Sequence, residues 1–329
     1  MKYCILGCGG SFGIHTAKYL LENSNCEKVI GVGRNQLRPS VFSLNIQDFS
    51  KFYYKAIHIY YEQDFLLELL DKEKPDVIIN FSAQGEGAVS WKNSWRFFET
   101  NSTALVKLAE ELSKREWLKQ FIQIGTSEMY GAVTKPSLET DPIVPTSPYA
   151  ASKVAFDMYL VSAYKFLNFP MNILRPSNAY CPGQLLHRVI PRTIYSILTK
   201  NKLPLQGGGK AKKSYIHATD LARAIYILSN KNDIVGEIFN IGPQEPTSIK
   251  DVVKLTCQAM EVKFEDYVEV TEDRLGQDSC YWLNSDKAKK LLGWKQEIFW
   301  EEGLRTMKAW SEEYKNEIVK QSTEYEMRG

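Results

Sequence analysis

The chain has 329 residues, of which 44% are hydrophobic and 24% are charged, so it can bury a substantial core and is not expected to be disordered throughout. A formal net charge of only +2 gives no electrostatic case for a nucleic-acid or acidic membrane partner. Four histidines and six cysteines show no metal-ligand spacing and no CxxC pair, so we expect no metal site and inert, reduced thiols. Because the chain opens on a strand and no apolar run reaches membrane-spanning length, we expect a cytoplasmic protein with no membrane partner.

Apolar runs rich in β-forming residues alternate with longer segments of helical periodicity over the first half of the chain. This alternation favours an α/β fold, a doubly wound parallel sheet with helices on both faces. After about Arg175, short strands and helices mix with Gly/Pro turns, which predicts a smaller C-terminal α/β region. We therefore expect three parts, 1–175, 176–315 and a polar, partly disordered tail, 316–329. The predicted strands are Tyr3–Leu6, Lys28–Val32, Val77–Phe81, Phe121–Ile124 and Met171–Leu174, and the predicted helices are Gly13–Glu22, Asp64–Asp71, Trp95–Lys114, Pro148–Leu167 and Pro191–Thr199.

The first predicted strand runs into a glycine-rich turn and then into a helix. Gly7, Gly10 and Gly13 form a G-x-x-G-x-x-G pattern that also contains Ser11 and Phe12. Glycine allows a tight turn and lets backbone amides approach a diphosphate at the positive N-terminus of a helix. Because the motif lies between a strand and a helix, it predicts a dinucleotide-binding site formed by these five residues.

The end of the second predicted strand indicates which dinucleotide binds. A cofactor with a free ribose 2′-hydroxyl is usually held there by an acidic side chain. Here Gly33 and Arg34 follow the strand, and Arg38 lies close behind. Since guanidinium groups suit a 2′-phosphate, the sequence predicts NADP, with NAD as the second choice, although surface arginines are also common in general.

Small or polar residues follow two further predicted strands, and ligands of open α/β sheets lie beyond the carboxyl ends of the strands. Val77–Phe81 is followed by Ser82, Ala83 and Gln84, which we expect beside the cofactor. The strand that begins at Met171 leads into Asn178, which we expect on the substrate side.

Thr126, Ser127 and Glu128 follow the strand that ends at Ile124. A threonine there can hydrogen-bond a substrate hydroxyl, and a glutamate can take or give a proton. The alternative is a helix cap or turn that leaves one solvated carboxylate.

Tyr149 and Lys153 lie four residues apart in a predicted helix. Ser147 can cap this helix and Pro148 suits its first turn, so the phenol and the ammonium share one face. A free phenol has a pKa near ~10, but a nearby cation favours the phenolate. The pair is therefore a candidate proton acceptor for an alcohol being oxidised, although a packed ring and a solvated amine are the commoner meaning of this spacing.

Together these motifs resemble the extended short-chain dehydrogenase/reductase family, and more narrowly its nucleotide-sugar 4,6-dehydratases and epimerases. The resemblance covers nearly the whole chain to about residue 312 and implies a Rossmann-type NAD(P)-binding domain followed by a nucleotide-sugar binding region. The Thr-Ser-Glu triplet is similar to that of GDP-mannose 4,6-dehydratases, while the Arg-Pro-Ser-Asn segment looks more like the dTDP-glucose and UDP-sugar branches. The segments that carry the resemblance are 7–13, 74–76, 100–101, 126–128, 147–153, 175–178, 238–242, 274–278 and 288–294.

The resemblance implies an NAD(P)-dependent nucleotide-sugar 4,6-dehydratase. Tyr149 would accept the proton of the sugar C4 hydroxyl, and Lys153 would lower the pKa of that phenol and hold the nicotinamide ribose. Thr126, beside Ser127, would bind the same hydroxyl. Glu128 would remove the C5 proton once C4 is a ketone, water would leave from C6, and the hydride would return to C6.

The resemblance also implies that Asn101 belongs to the cofactor site and that Asn178 and Arg274 hold the nucleotide diphosphate. This sequence departs from the family pattern at Lys213, where the family has arginine, and at Glu86, which would face the substrate or solvent. The family's adenine-contacting aspartate after the third strand is also missing.

Other readings of the same residues remain open. A C4 epimerase or a UDP-glucuronate-type decarboxylase would use the same first oxidation, and a Thr-Ser-Glu triplet also resembles the decarboxylases. A simple carbonyl reductase and a non-catalytic NADP-binding sensor or scaffold are further alternatives. The resemblance implies a homodimer in which Trp95–Lys114 and Pro148–Leu167 form a four-helix bundle with a second subunit, whereas both helices could also simply cover the sheet.

Overall fold

A computed structural model describes residues 1–272 and 278–325 of the chain. Over these residues, seven parallel strands form a central sheet and three smaller sheets lie beside it. The strands are β1 (Lys2–Leu6), β2 (Lys28–Gly33), β3 (Phe52–Ala56), β4 (Val77–Asn80), β5 (Gln120–Ile124), β6 (Met171–Pro176), β7 (Asn178–Tyr180), β8 (Leu203–Gln206), β9 (Lys212–Lys213), β10 (Tyr215–His217), β11 (Ile238–Ile241), β12 (Thr247–Ser248), β13 (Val268–Thr271) and β14 (Cys280–Tyr281).

The central sheet has the order β11-β6-β5-β4-β1-β2-β3, and every pairing in it is parallel. Strand β1 is buried on both faces, since Tyr3 and Ile5 lie in one hydrophobic core and Cys4 and Leu6 lie in the other. The strand order reverses between β1 and β4, the point at which open α/β sheets bind ligands. The predicted Rossmann-type, doubly wound α/β fold is confirmed.

Helices cover both faces of this sheet and build the C-terminal region. None of those in residues 1–272 and 278–325 combines the length and apolar character needed to cross a bilayer. The helices are α1 (Ser11–Asn23), α2 (Ser40–Ser43), α3 (Gln63–Glu73), α4 (Ser94–Phe98), α5 (Ala104–Leu112), α6 (Pro148–Leu167), α7 (Val189–Thr199), α8 (Ala218–Ser229), α9 (Ile249–Ala259), α10 (Phe264–Tyr267), α11 (Asp286–Leu292), α12 (Trp300–Glu313) and α13 (Lys315–Ile318).

Helices α1 and α8 pack on one face of the sheet, and α3, α5 and α6 pack on the other. Helix α6 has the predicted bounds, whereas the predicted helix Trp95–Lys114 is α4 and α5 joined by a π-helical turn, Glu99–Thr103. Strands β3 and β11 were not among the predicted strands. Strand β3 lies at one edge of the sheet and alternates between half-buried and exposed residues, so its apolar signal is weak. Strand β11 lies at the other edge, and Asn240 interrupts its short apolar run.

The C-terminal region has its own hydrophobic cores, in which α7, α9 and α12 pack together. The structure describes residues 316–325 of the polar tail. Ile318 is fully buried, and the Tyr325 hydroxyl donates a hydrogen bond to the Gly85 carbonyl at 2.9 Å. The partial disorder expected of residues 316–329 stays a prediction.

Candidate active site

Three connected cavities lie beyond the carboxyl ends of the central strands. A glycine-loop cavity of about 240 Å³ meets a central cavity of about 440 Å³ at Phe81 and Ala83. The central cavity in turn shares Glu86, Asn178 and other residues with an outer cavity of about 520 Å³. The fold therefore offers one continuous cleft with three compartments.

The glycine turn forms the floor of the glycine-loop cavity. Gly7 has a φ of +75°, and a Cβ there would lie 2.6 Å from the Ser82 amide nitrogen. A Cβ on Gly13 would lie 2.7 Å from the Cys8 Cα, so α1 can begin directly against β1 only with glycine at this position. The Gly10 amide donates to the Gly7 carbonyl at 3.0 Å. This turn fits a dinucleotide, because its backbone reaches the ligand position without side chains in between.

Ser11 and Phe12, which lie between Gly10 and Gly13, are not part of the wall of the glycine-loop cavity. The Ser11 hydroxyl donates to the Gly183 carbonyl at 3.0 Å and so ties α1 to the C-terminal region. Phe12 lines the central cavity.

The far end of the glycine-loop cavity is basic. Arg34 and Arg38 line it, and none of its described lining residues is acidic. A Cβ on Gly33 would collide with the Tyr54 hydroxyl, which donates to the Asn35 carbonyl at 2.7 Å. His58 and Ile59 line the same cavity, where the resemblance leads one to expect an aspartate.

The loop after β4 is held in place by Asn101. The Gln84 amide donates to the Asn101 Oδ1 at 2.7 Å, and the Asn101 Nδ2 donates to the Gln84 carbonyl at 3.1 Å and to the Ser152 hydroxyl at 2.9 Å. Ser82, Ala83 and Gln84 consequently line the glycine-loop cavity. Asn101 itself is fully buried, and its hydrogen bonds hold the loop after β4 in place.

Helix α6 begins as its sequence predicts and brings Tyr149 to Thr126. The Ser147 hydroxyl accepts from the Ala150 amide at 3.1 Å, and Pro148 occupies the first turn. This start turns the Tyr149 phenol into the central cavity, which Thr126 also lines. The two predicted groups for binding one substrate hydroxyl are thus adjacent.

The structure corrects one electrostatic expectation about this pair. The pKa of Tyr149 is raised above its ordinary value, because burial and the negative charge of Glu128 outweigh the opposite effect of the Thr126 side chain. The Lys153 Nζ donates instead to the Ile124 carbonyl at the end of β5, at 2.7 Å. Burial lowers the pKa of Lys153 to about 8. The lowering of the phenol pKa that the Tyr-x-x-x-Lys spacing predicts is therefore absent from this structure.

A buried acid and a buried base lie behind Lys153. Asp157, one turn further along α6, is fully buried, and its charge opposes the lowering of the Lys153 pKa. Its Oδ2 lies 3.8 Å from the Nε of Arg175, which is also buried. The Arg175 Nη1 donates to the Tyr130 hydroxyl at 2.7 Å. Because its negative charge opposes the effect of burial, Asp157 helps Lys153 to keep its proton.

Glu128 faces Tyr149 across the central cavity. Its amide donates to the Thr126 hydroxyl at 3.2 Å, and a Cβ on Gly87 would lie 3.1 Å from its Oε2. Burial raises the pKa of Glu128 above its ordinary value, although Lys213 and Arg188 act in the opposite direction. A carboxyl with a raised pKa is suited to exchange protons near neutral pH. Ser127, which precedes it, also lines this cavity.

Glu86 is held by two basic side chains. Its Oε1 lies 2.8 Å from the Arg188 Nη2 and 3.2 Å from the His187 Nε2. Burial alone would raise the pKa of Glu86, but the charge of Arg188, the contact with His187 and the charge of Lys213 outweigh it and hold the pKa at about 2. Glu86 is therefore ionised at neutral pH and cannot act as an acid there.

The predicted substrate-side residues meet in the shared part of the cleft. Asn178 and Lys213 line both the central and the outer cavity, while Arg274 lies outside the described residues. Sequence reasoning missed Arg188, which lines both cavities and directly precedes α7. Its only local signal is its place just before a predicted helix. No cluster of three or more His, Cys, Asp or Glu residues that could hold a metal ion occurs among residues 1–272 and 278–325.

Comparisons with known proteins agree with this geometry. A family model described as GDP-mannose 4,6 dehydratase matches residues 4–307. The dTDP-D-glucose 4,6-dehydratase of Homo sapiens is 31% identical over 261 residues, which are 77% of this chain and 73% of that protein. A trifunctional UDP-glucose 4,6-dehydratase/UDP-4-keto-6-deoxy-D-glucose 3,5-epimerase/UDP-4-keto-L-rhamnose-reductase of Arabidopsis thaliana is 28% identical over 310 residues, 93% of this chain but 46% of that protein. The chain thus spans about half the length of this relative.

A solved structure shows the same fold with a cofactor bound. The dTDP-glucose 4,6-dehydratase from Bacillus anthracis, in complex with NAD, matches with a TM-score of 0.86 and 28% identity over 96% of this chain and 98% of that one. The family model covers the glycine turn, the triplet that begins at Thr126, and helix α6. The chain therefore belongs to the GDP-mannose 4,6-dehydratase family of extended short-chain dehydrogenases/reductases.

Proposed function

We propose that the protein is an NAD(P)-dependent nucleotide-sugar 4,6-dehydratase. The observation that carries this proposal is the convergence of Thr126, Glu128 and Tyr149 in one cavity that adjoins the glycine-loop cavity. The side chains of Thr126 and Glu128 both act on the pKa of the Tyr149 phenol, which Thr126 lowers and Glu128 raises. A hydroxyl acceptor and a separate carboxyl base on one cavity wall are what a C4 oxidation followed by a C5 deprotonation requires.

Each of these side chains has one task in the proposed reaction. Thr126 holds the C4 hydroxyl, and Tyr149 takes its proton while C4 becomes a ketone. Glu128 then removes the acidified C5 proton and donates it to the C6 hydroxyl, which leaves as water. When the hydride returns to C6, C5 takes up a proton from solvent, and Tyr149 releases to solvent the proton that it took from the C4 hydroxyl. The bound nicotinamide cofactor supplies the site that takes the hydride from C4 and returns it to C6, so the overall reaction consumes no reductant.

We also propose a division of labour along the chain, with residues 1–175 binding the cofactor and 176–315 binding the nucleotide sugar. The described lining of the glycine-loop cavity ends at Thr100. The outer cavity is lined, apart from Glu86, by residues from Asn178 onward. Its basic side chains favour a diphosphate as the bound group, and Arg274 keeps its place in this proposal as a nucleotide contact.

Product analysis with GDP-, dTDP-, UDP- and CDP-sugars tests the reaction. We expect a 4-keto-6-deoxy product, detected by mass spectrometry as the loss of water. Replacing Glu128 with glutamine should slow dehydration by about 10²- to 10⁴-fold. Exchange of the C4 hydrogen with the cofactor should survive, because Thr126 and Tyr149 are unchanged.

Other products would assign another reaction. An isomer of unchanged mass indicates an epimerase, loss of carbon dioxide indicates a decarboxylase, and stoichiometric oxidation of NADPH indicates a carbonyl reductase. Binding of NADP without C4 hydrogen exchange on any sugar of the panel would indicate a sensor or scaffold. Dehydration at the normal rate in Glu128→Gln would remove Glu128 from the mechanism.

We propose NADP as the preferred cofactor, because Arg34 and Arg38 line a cavity whose described wall contains no acid. Replacing Arg34 with alanine should weaken NADP binding by about ten- to a hundredfold, the effect of losing charged hydrogen bonds. NAD binding should change little. Calorimetric titration of both dinucleotides measures the difference, with Arg305→Ala, an exposed arginine on α12, as the matched control. Tighter binding of NAD than of NADP by the unchanged protein would contradict the proposal.

The charge of Asp157 leads to a prediction about the pH dependence of kcat/KM. Because the charge of Asp157 raises the pKa of Lys153, which is about 8, Asp157→Asn should lower that pKa further. In the proposed reaction, protonated Lys153 holds the nicotinamide ribose. The variant would lose that proton at lower pH, so the alkaline fall of kcat/KM should begin at lower pH than in the unchanged enzyme. The matched control is Asp71→Asn, which affects a surface pair with Arg115, and thermal melting confirms that both variants fold. An alkaline limb that does not move would show that Asp157 carries no charge that acts on Lys153.

We propose a homodimer formed through α4, α5 and α6. These helices expose apolar side chains, with 59% of Trp95, 39% of Phe98 and 74% of Phe166 accessible. Burial of such a surface is typical of a permanent interface. Light scattering should give twice the mass of the chain, and Trp95→Glu should give a monomer, while Phe299→Glu, an exposed residue elsewhere, should not. A monomer in the unchanged protein would rule the dimer out.

The expected cytoplasmic location is also kept as a proposal. All six cysteines are free in the structure, and five of them are buried. Free, buried thiols are typical of proteins in a reducing compartment.

A further inference from the structure

The C-terminal tail reaches the wall of the central cavity through one tyrosine. The Tyr325 hydroxyl donates to the Gly85 carbonyl at 2.9 Å. Its ring meets the His187 ring edge-on, with the centroids 5.1 Å apart and the planes at 76°. Burial and the nearby charge of Glu86 raise the pKa of Tyr325, so the hydroxyl keeps the proton that it donates. Tyr325 thus contacts Gly85, which precedes Glu86 in the chain, and His187, which lies beside the Glu86 carboxylate.

The segment it touches carries a strained residue. Glu86 has a φ of +74°, in the left-handed region that non-glycine residues seldom adopt. Such a backbone persists only where surrounding contacts hold it, and it is often found at functional sites. Within the loop, the Ser90 amide donates to the Glu86 carbonyl at 3.1 Å. Arg188 and His187 contact the Glu86 side chain, and Tyr325 donates a hydrogen bond to the carbonyl of the preceding residue, Gly85.

The position of Glu86 matters for two cavities at once. Glu86 and Arg188 line both the central and the outer cavity, and their ion pair lies at the boundary between them. A nucleotide sugar that fills both cavities has its sugar on one side of this boundary and its nucleotide on the other. The Glu86–Arg188 ion pair therefore lies where a substrate that fills both cavities would pass from one to the other.

We propose that Tyr325 is a positioning residue, which holds the Gly85–Gly87 loop and the His187 ring so that Glu86 and Arg188 stand as a fixed pair against the nucleotide sugar. The substrate in this statement rests on the proposed function. The contacts of Tyr325 with the loop and with His187 do not depend on it.

The variant Tyr325→Phe tests this role, because it removes the hydroxyl and keeps the ring. Hydrogen exchange followed by mass spectrometry should show faster exchange in the peptide that contains residues 85–90. Loss of one hydrogen bond of this kind corresponds to a change of about three- to tenfold. KM for the nucleotide sugar should rise by a similar factor while kcat stays within about twofold, since Tyr325 touches no reacting atom.

Two further variants make the test specific. Tyr314→Phe removes another C-terminal tyrosine hydroxyl, one that accepts from Asn45, and should leave both the exchange and KM unchanged. In a Glu86→Gln background, Tyr325→Phe should add no further rise in KM, because it acts through Glu86.

The proposal and the function on which it rests can fail separately. Unchanged exchange of residues 85–90 in Tyr325→Phe overturns the positioning role, whatever the substrate is. An equal rise in KM in the Glu86→Gln background also overturns it. If no nucleotide sugar is turned over by the unchanged protein, the proposed function fails, and binding of UDP and dTDP takes the place of KM in judging Tyr325.

Discussion

The geometry of the candidate active site depends on the close approach of the glycine turn after β1 to the residues that follow β4. Gly7 stands so near the Ser82 amide that a Cβ would lie 2.6 Å from its nitrogen. This contact sets the spacing between the two strands where the order of the sheet reverses. Asn101 then secures the β4 loop from the other side through its bonds to Gln84 and Ser152. Because Ser152 belongs to α6, one network connects the cofactor turn to the helix that carries Tyr149 and Lys153.

Burial dominates the chemistry of the central cavity. It raises the pKa values of Tyr149 and Glu128 and lowers that of Lys153, so each group is pushed toward its neutral form. Asp157 counteracts this effect at Lys153, and Lys213 counteracts it at Glu128. Burial therefore favours the neutral form of all three groups, and the charges of Asp157 and Lys213 oppose it at Lys153 and Glu128.

Two basic side chains hold an acidic residue at the boundary between the central and the outer cavity. Glu86, with its strained backbone, is balanced by Arg188 and His187. The tail reaches this cluster from more than two hundred residues away in the chain through Tyr325.

The sequence by itself determined the parts of the protein whose cause is local. The glycine turn, the five predicted strands of the central sheet and the whole of α6 follow from backbone freedom, apolar runs and the Ser147 cap. The positions of Thr126 and Glu128 at the carboxyl edge of the sheet were also predictable, because both residues follow β5. Tyr149 lies on α6, and the family resemblance of the motifs predicted that it joins them. Only the tertiary structure decided that Lys153 donates to the Ile124 carbonyl, that Arg188 pairs with Glu86, and that Tyr325 closes on Gly85. Those contacts join residues that are distant in the chain, and burial, which shifts the pKa values, exists only once the chain has folded.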